Sequence, residues 1–317
     1  MKFTTPIPIP NSTNPIDFNA SLLSLGSCFA VNIGEKFDYF KFNNTSNPFG
    51  IIFNPVSIEK LIVRAVNQKK FTEEDVFFHN ERFHCYEVHS DLSSDNKQEF
   101  LEGLNAKLEL THQKVKAATH VLITYGTSWV YQEKKSGSLV ANCHKMPQSH
   151  FDKHILSMAS IEAAIQNTVD AIRKLNPNCS FVFTISPVRH IKDGFVENQR
   201  SKAHLISALH NLLSDHLLDK ANYFPAYEIM MDELRDYRFY GEDLLHPSTM
   251  AIDYIWQRFR TTAISETVLS TLDDIDAIQK SLLHKPFNPT SESHQKFLSK
   301  LQEKMSKLEG IYPSIQF

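Results

Sequence analysis

Short apolar runs alternate with longer stretches of helical spacing through the first 260 residues. Residues 21–25 are mostly apolar and end at Gly26, and Phe29, Ile33, Phe37 and Phe40 then recur three and four apart. That pattern predicts a strand, a sharp turn and a helix. Further buried strands are predicted at 120–125 and 181–185, with short ones near residue 45 and at 223–224. Helices are predicted at 56–66, 96–118, 161–175, 198–218 and 249–260. Two β-rich runs within 76–89, around Asn80-Glu81, read as a hairpin, as do 129–131 and 138–140 around Lys-Lys-Ser-Gly. Residues 266–283 and 291–308 are two helical stretches without strands. Strands alternating with amphipathic helices predict a five-stranded parallel sheet covered on both faces. The hairpins are insertions and the last two helices an added layer.

At roughly 150 residues per domain, 317 residues fit about two domains or one enlarged α/β domain. We divide the chain at 1–263, a catalytic α/β unit, and 264–317, a helical extension packed on it. The 33 basic against 36 acidic side chains leave a formal charge of −3, so no basic excess exists to hold nucleic acid. Cys28, Cys85, Cys143 and Cys179 are scattered and form no CxxC pair, which reads as reduced thiols of a cytoplasmic protein. Prolines at 6, 8 and 10 interrupt the apolar run that a signal peptide needs, and no stretch reaches the roughly 18–20 apolar residues of a membrane span. We therefore expect a cytoplasmic chain with no membrane span.

In open α/β sheets, ligands lie at the carboxyl ends of the strands. Ser27 follows the first strand on a turn after glycine, at the positive end of a helix. A serine needs a neighbouring base to become a nucleophile. His246 supplies one, with Asp243 three residues earlier to hold the imidazole tautomer. Singly, Ser27 reads as a helix cap, Asp243 as a surface acid and His246 as part of a capping segment. Their order, Gly-Ser after the first strand and Asp-x-x-His after the last, is more specific. Cys28 is expected to point toward the sheet, as free cysteines often do. Arg189 and His190, just after a strand, either bind an anionic or polar substrate group or pair with the acid-rich segment around Asp232, Glu233 and Asp236. His79, His84, Cys85 and His89 cluster in the first hairpin, but His84 and Cys85 face opposite sides of a strand, so no four-ligand metal set converges. A metal-dependent hydrolase on His79, His84, His89 and His144 is the weakest reading. Lys202 beside Ser201 lies within a helical run and reads as structural.

Leu25-Gly26-Ser27-Cys28-Phe29-Ala30 resembles the motif that names the GSCFA family, a branch of the SGNH/GDSL hydrolase superfamily. The resemblance continues through Asn47-Pro48-Phe49-Gly50, Gly126-Thr127-Ser128-Trp129, Asn142-Cys143-His144-Lys145, Ser186-Pro187-Val188-Arg189-His190 and Asp243-Leu244-Leu245-His246-Pro247-Ser248. It implies a flavodoxin-like three-layer sandwich and ester hydrolysis through a serine. It maps the nucleophile onto Ser27, the Asp-x-x-His pair onto Asp243 and His246, and an oxyanion-hole glycine onto Gly50. The superfamily's asparagine donor has no counterpart in Gly126-Thr127-Ser128-Trp129, and its Gly-Asp-Ser motif lacks the aspartate here.

The reading is a serine-dependent hydrolase of acyl esters, acting on a small-molecule or glycan ester. Ser27 is the nucleophile, His246 the base and Asp243 its orienter. The Ser27 and Gly50 N–H groups form the oxyanion hole, with Ser128 or Asn142 as a third donor. His89, Trp129, His144, Arg189 and His190 are expected to line the substrate site. No cofactor and no metal is called for. An O-acyltransferase would use the same triad, and a binding module would keep the fold without the reaction. The oligomeric state is left open.

Overall fold

The computed structural model describes residues 4–214 and 217–317. Five strands form one parallel sheet: β1 (Ser21–Gly26), β2 (Asn43–Ser46), β5 (His120–Tyr125), β9 (Ser180–Ile185) and β10 (Ala221–Tyr223). Their order across the sheet is β2-β1-β5-β9-β10. Numbered by appearance that is 2-1-3-4-5, the flavodoxin-like order. It puts β1 and β5 side by side at the centre, with Gly26 opposite Thr124 where both strands end.

Alternating strand residues feed two separate cores. Leu23, Leu25, Val121, Ile123, Tyr125, Phe181 and Phe183 face one side. There they meet α2 (Pro55–Val66), α3 (Lys97–Ala117), α4 (Met158–Leu175) and α5 (Phe195–Ser214). Leu22, Leu122 and Val182 face the other, against α1 (Cys28–Tyr39) and α7 (Thr249–Ala263). Phe37 is fully buried there, edge-on to Trp256 at 5.3 Å and to Phe259 at 5.8 Å. Burying such a side chain stabilises by roughly 1.5–3 kcal/mol. The result is the three-layer α/β sandwich expected.

Helix starts follow local chemistry. Asn54 caps α2 with Pro55 in its first turn, Asn96 caps α3, and Ser157 caps α4. Helix α5 begins at Phe195 and is described to Ser214; residues 215 and 216 of the 198–218 expectation lie outside the described residues. Helices α8 (Leu269–Leu282) and α9 (Glu292–Ile311) add Leu272, Ile275, Ile278, Leu301 and Leu308 to the core that holds α1 and α7.

Both hairpins form. The first, β3 (Phe77–His79) with β4 (Arg82–His84), turns at Asn80 and Glu81, both in the left-handed region. It ends at His84, because Cys85 onward turns back into the core. The second, β6 (Trp129–Glu133) with β7 (Leu139–Val140), gains a third strand, β8 (Phe151–Ile155), on its other edge. Phe-Asp-Lys-His-Ile has three polar residues in a row and gives no apolar run, which hides it in the sequence. Between β10 and α7 lies the single turn α6 (Ala226–Glu228), continued by a π-helical turn at Ile229–Glu233.

Candidate active site

The turn between β1 and α1 is tightly fixed. Gly26 has φ +129°, and a Cβ there would lie 2.1 Å from the Thr124 carbonyl oxygen, so only glycine lets β1 end this close to β5. The Asn47 side chain brackets the same glycine, accepting from its N–H at 2.8 Å and donating to its carbonyl at 3.2 Å. Ser27 then caps α1, its Oγ accepting from the Phe29 N–H at 3.3 Å. It is 1% exposed.

Asp243 and His246 occupy the loop before α7. His246 Nδ1 lies 2.6 Å from Asp243 Oδ2, while Asp243 Oδ1 accepts from the N–H groups of Leu245 and His246, each at 3.0 Å. These N–H bonds and the imidazole hold the Asp243 carboxyl down at about 2, so it stays ionised across any working pH. With Nδ1 bound to Asp243, Nε2 is the nitrogen left for proton transfer. Both side chains are about half exposed. Among the described residues, no hydrogen bond joins Ser27 to His246.

The two expected backbone donors are engaged elsewhere. The Ser27 N–H donates to the Thr124 carbonyl at 3.1 Å and the Gly50 N–H to the Asn47 carbonyl at 2.8 Å. Gly50 has a steric role instead: at φ +79°, a Cβ would sit 2.3 Å from that of His89. Ser128 also departs from its expected role. Fully buried, it directs its hydroxyl to the Ser201 carbonyl on α5, and its N–H bonds Ser201 Oγ at 2.7 Å. Asn142, which lines a cavity, accepts from the His144 N–H at 2.8 Å through Oδ1, and its Nδ2 is not engaged by that bond.

The remaining predicted residues divide. His89, Trp129, Asn142 and His190 line that cavity. His144 does not: it is buried, its Nε2–H donates to the Cys85 carbonyl at 2.8 Å, and its ring lies 4.7 Å from His84. Burial brings the His144 imidazole down to about 4. Arg189 lines a separate groove beside Asp243 and contacts the Met231 sulfur, not the acids of 232–236. Those acids pair with Arg235, Arg258 and Arg238. Among the described residues, no group of three or more His, Cys, Asp or Glu side chains is arranged to hold a metal ion. Nor is any helix there long and apolar enough to cross a membrane.

One residue read from the sequence only as part of a helix has more consequence: Lys202. It is fully buried, and its Nζ lies 2.7 Å from both the Gly126 and the Ser186 carbonyl oxygens. These residues directly follow β5 and β9, so the amine ties together the strand ends that flank the site. Burial lowers its pKa to about 7. The signal was present, since Asn198, Lys202, Leu205, Leu209 and Leu212 form the buried stripe of α5 at helical spacing. Cys28 lies beside Ser27 at the start of α1. It is only partly buried, and its thiol is pushed up by burial while Lys202 opposes and Asp243 adds to that shift.

Comparison with known families places these motifs. A model described as the GSCFA family matches residues 21–259, and one described as GSCFA domain protein, C-terminal domain, matches residues 275–317. No curated protein matches the chain.

Proposed function

We propose that this chain, which belongs to the GSCFA family, is a serine-dependent hydrolase of acyl esters of the SGNH/GDSL type. The observation that carries the reading is the Asp243–His246 pair at 2.6 Å, set in the loop that opens α7, the helix packed against α1, which Ser27 caps. In this mechanism Ser27 Oγ attacks the ester carbonyl and gives its proton to His246 Nε2. The imidazolium is stabilised by Asp243 and then protonates the leaving alcohol. Water, activated by the same imidazole, releases the acid. An O-acyltransferase differs only in that a bound alcohol takes the place of water.

Charge on the tetrahedral oxygen needs donors that are free to turn toward it. With the Ser27 and Gly50 amides engaged, Asn142 Nδ2 is the side-chain donor assigned to this role. The acyl group is assigned to the groove of about 500 Å³ beside Asp243, where Met231, Tyr237, Tyr240 and Leu244 provide apolar walls.

The buried, hydrogen-bonded state of Ser27 and its two engaged amides favour a second reading, a binding module that keeps the fold without turnover. A fluorophosphonate probe separates the two. A hydrolase is labelled at Ser27 and hydrolyses p-nitrophenyl acetate, and Ser27→Ala loses both. An unlabelled wild-type protein would remove the hydrolase reading.

A further inference from the structure

The cavity between the β6–β8 insertion and the segment after β9 encloses about 290 Å³ and has a mixed chemistry. Phe53, Trp129 and Tyr131 give it aromatic walls. The His190 ring stacks on Phe53 with centroids 5.3 Å apart. Its Nε2 is buried and has no partner. Burial, helped by the charges of Lys202 and His246, brings that imidazole down to about 4, so it is neutral near pH 7. A buried ring nitrogen without a partner is unusual in a finished interior. That nitrogen lies against Gly126 and is closed off from the cavity, so His190 contributes its ring to the wall.

Lys153 and Asp193 form an ion pair on this wall, and the Lys153 ammonium lies 5.5 Å from the Trp129 ring centre and 5.1 Å from that of Tyr131. Lys192 stands at the rim. Burial pushes the Cys143 thiol in the same cavity up to about 11, and the Lys192 and Lys153 ammonium groups oppose that rise. Two lysines against one aspartate leave local positive charge in a protein whose formal charge is −3. An alkyl chain placed here would strip water from the ion pair with nothing in return. A ring that is apolar on its faces, rich in hydroxyls at its edge and negatively charged meets every wall.

We propose that this cavity binds an anionic carbohydrate, the alcohol half of the ester, with its ring against Trp129 and Tyr131 and its acid group toward Lys192 and Lys153. Only the ligand's place as half of the ester rests on the hydrolase reading; the binding itself does not. Ser27→Ala protein, which cannot turn over, is titrated calorimetrically with digalacturonate, galactose 6-sulfate and neutral galactobiose. The expected result is at least a tenfold tighter Kd for one or both acidic sugars than for galactobiose. The preference should shrink severalfold in 0.5 M salt and in Lys192→Gln/Ser27→Ala protein. Preference for digalacturonate alone identifies a carboxylate ligand, and for galactose 6-sulfate alone a sulfate- or phosphate-type ligand. Equal affinities, no binding of any of the three at millimolar concentration, or a preference that survives Lys192→Gln overturns the proposal. If the preference is found in a protein whose Ser27 does not react with fluorophosphonate, the hydrolase reading falls and the binding proposal stands.

Discussion

Replacing Lys202 by methionine keeps the length and most of the volume of the side chain and removes the amine. The ammonium is disfavoured inside the fold, where its pKa falls to about 7, against roughly 10.4 for an unfolded lysine. The unfolded chain therefore binds that proton more tightly. Relative to Lys202→Met, wild-type stability should be flat below about pH 7, rise by ~1.4 kcal/mol per pH unit up to about pH 10, and level off above. The full swing is on the order of 4–5 kcal/mol. Methionine also leaves the Gly126 and Ser186 carbonyls without their donor, at about 1–3 kcal/mol each, but that offset does not follow this slope. The assay is urea unfolding of both proteins from pH 6 to pH 10.5, subtracted at each pH. Subtraction matters because the Cys85 and Cys179 thiols, both pushed up to about 12 by burial, weaken each protein equally as the unfolded thiols ionise above about pH 8.5. Parallel curves, or a difference that falls with pH, would refute the idea that a desolvated amine ties the strand ends together.

Two other substitutions test the site directly. Asn142→Ala should lower kcat and kcat/KM together by about a hundredfold with KM little changed, if its amide donates only as charge develops; steady-state kinetics on an aryl ester read this, and a change confined to KM would give Asn142 a binding role instead. Gly50→Ala should cost about 2 kcal/mol or more in urea unfolding, because a methyl group would collide with His89 and the φ of +79° suits glycine; an unchanged midpoint would show that this turn relaxes freely.

The sandwich was legible because its strands carry apolar residues on both faces and its helices carry stripes. Leu22, Leu23 and Leu25 serve two cores at once, which is what an uninterrupted run means in a parallel sheet. The Asp243–His246 contact was legible too, since three residues in one loop leave few ways to keep the two apart. The donors were not. Whether the Ser27 and Gly50 amides are free depends on how closely β5 and Asn47 approach them, and residue types do not record that distance. Ser128 misled for a related reason: its place next to the strand end was right, but α5 offers Ser201 at hydrogen-bond distance on the buried side. Lys202 was hidden by its type, because lysines are rarely interior, although its position in the stripe of α5 was plain.

Asn47 has a consequence for how the protein ages. Its amide matches both polar groups of Gly26, donor to acceptor on each side. Conversion of that amide to a carboxylate would set an anionic oxygen against the Gly26 carbonyl and loosen the turn that carries Ser27. Asparagine usually deamidates when the next backbone nitrogen attacks its side-chain carbonyl. Here that nitrogen belongs to Pro48, which has no hydrogen to lose and cannot close the ring in the usual way. The same proline that follows the clamp thus closes the usual route by which this amide would be lost.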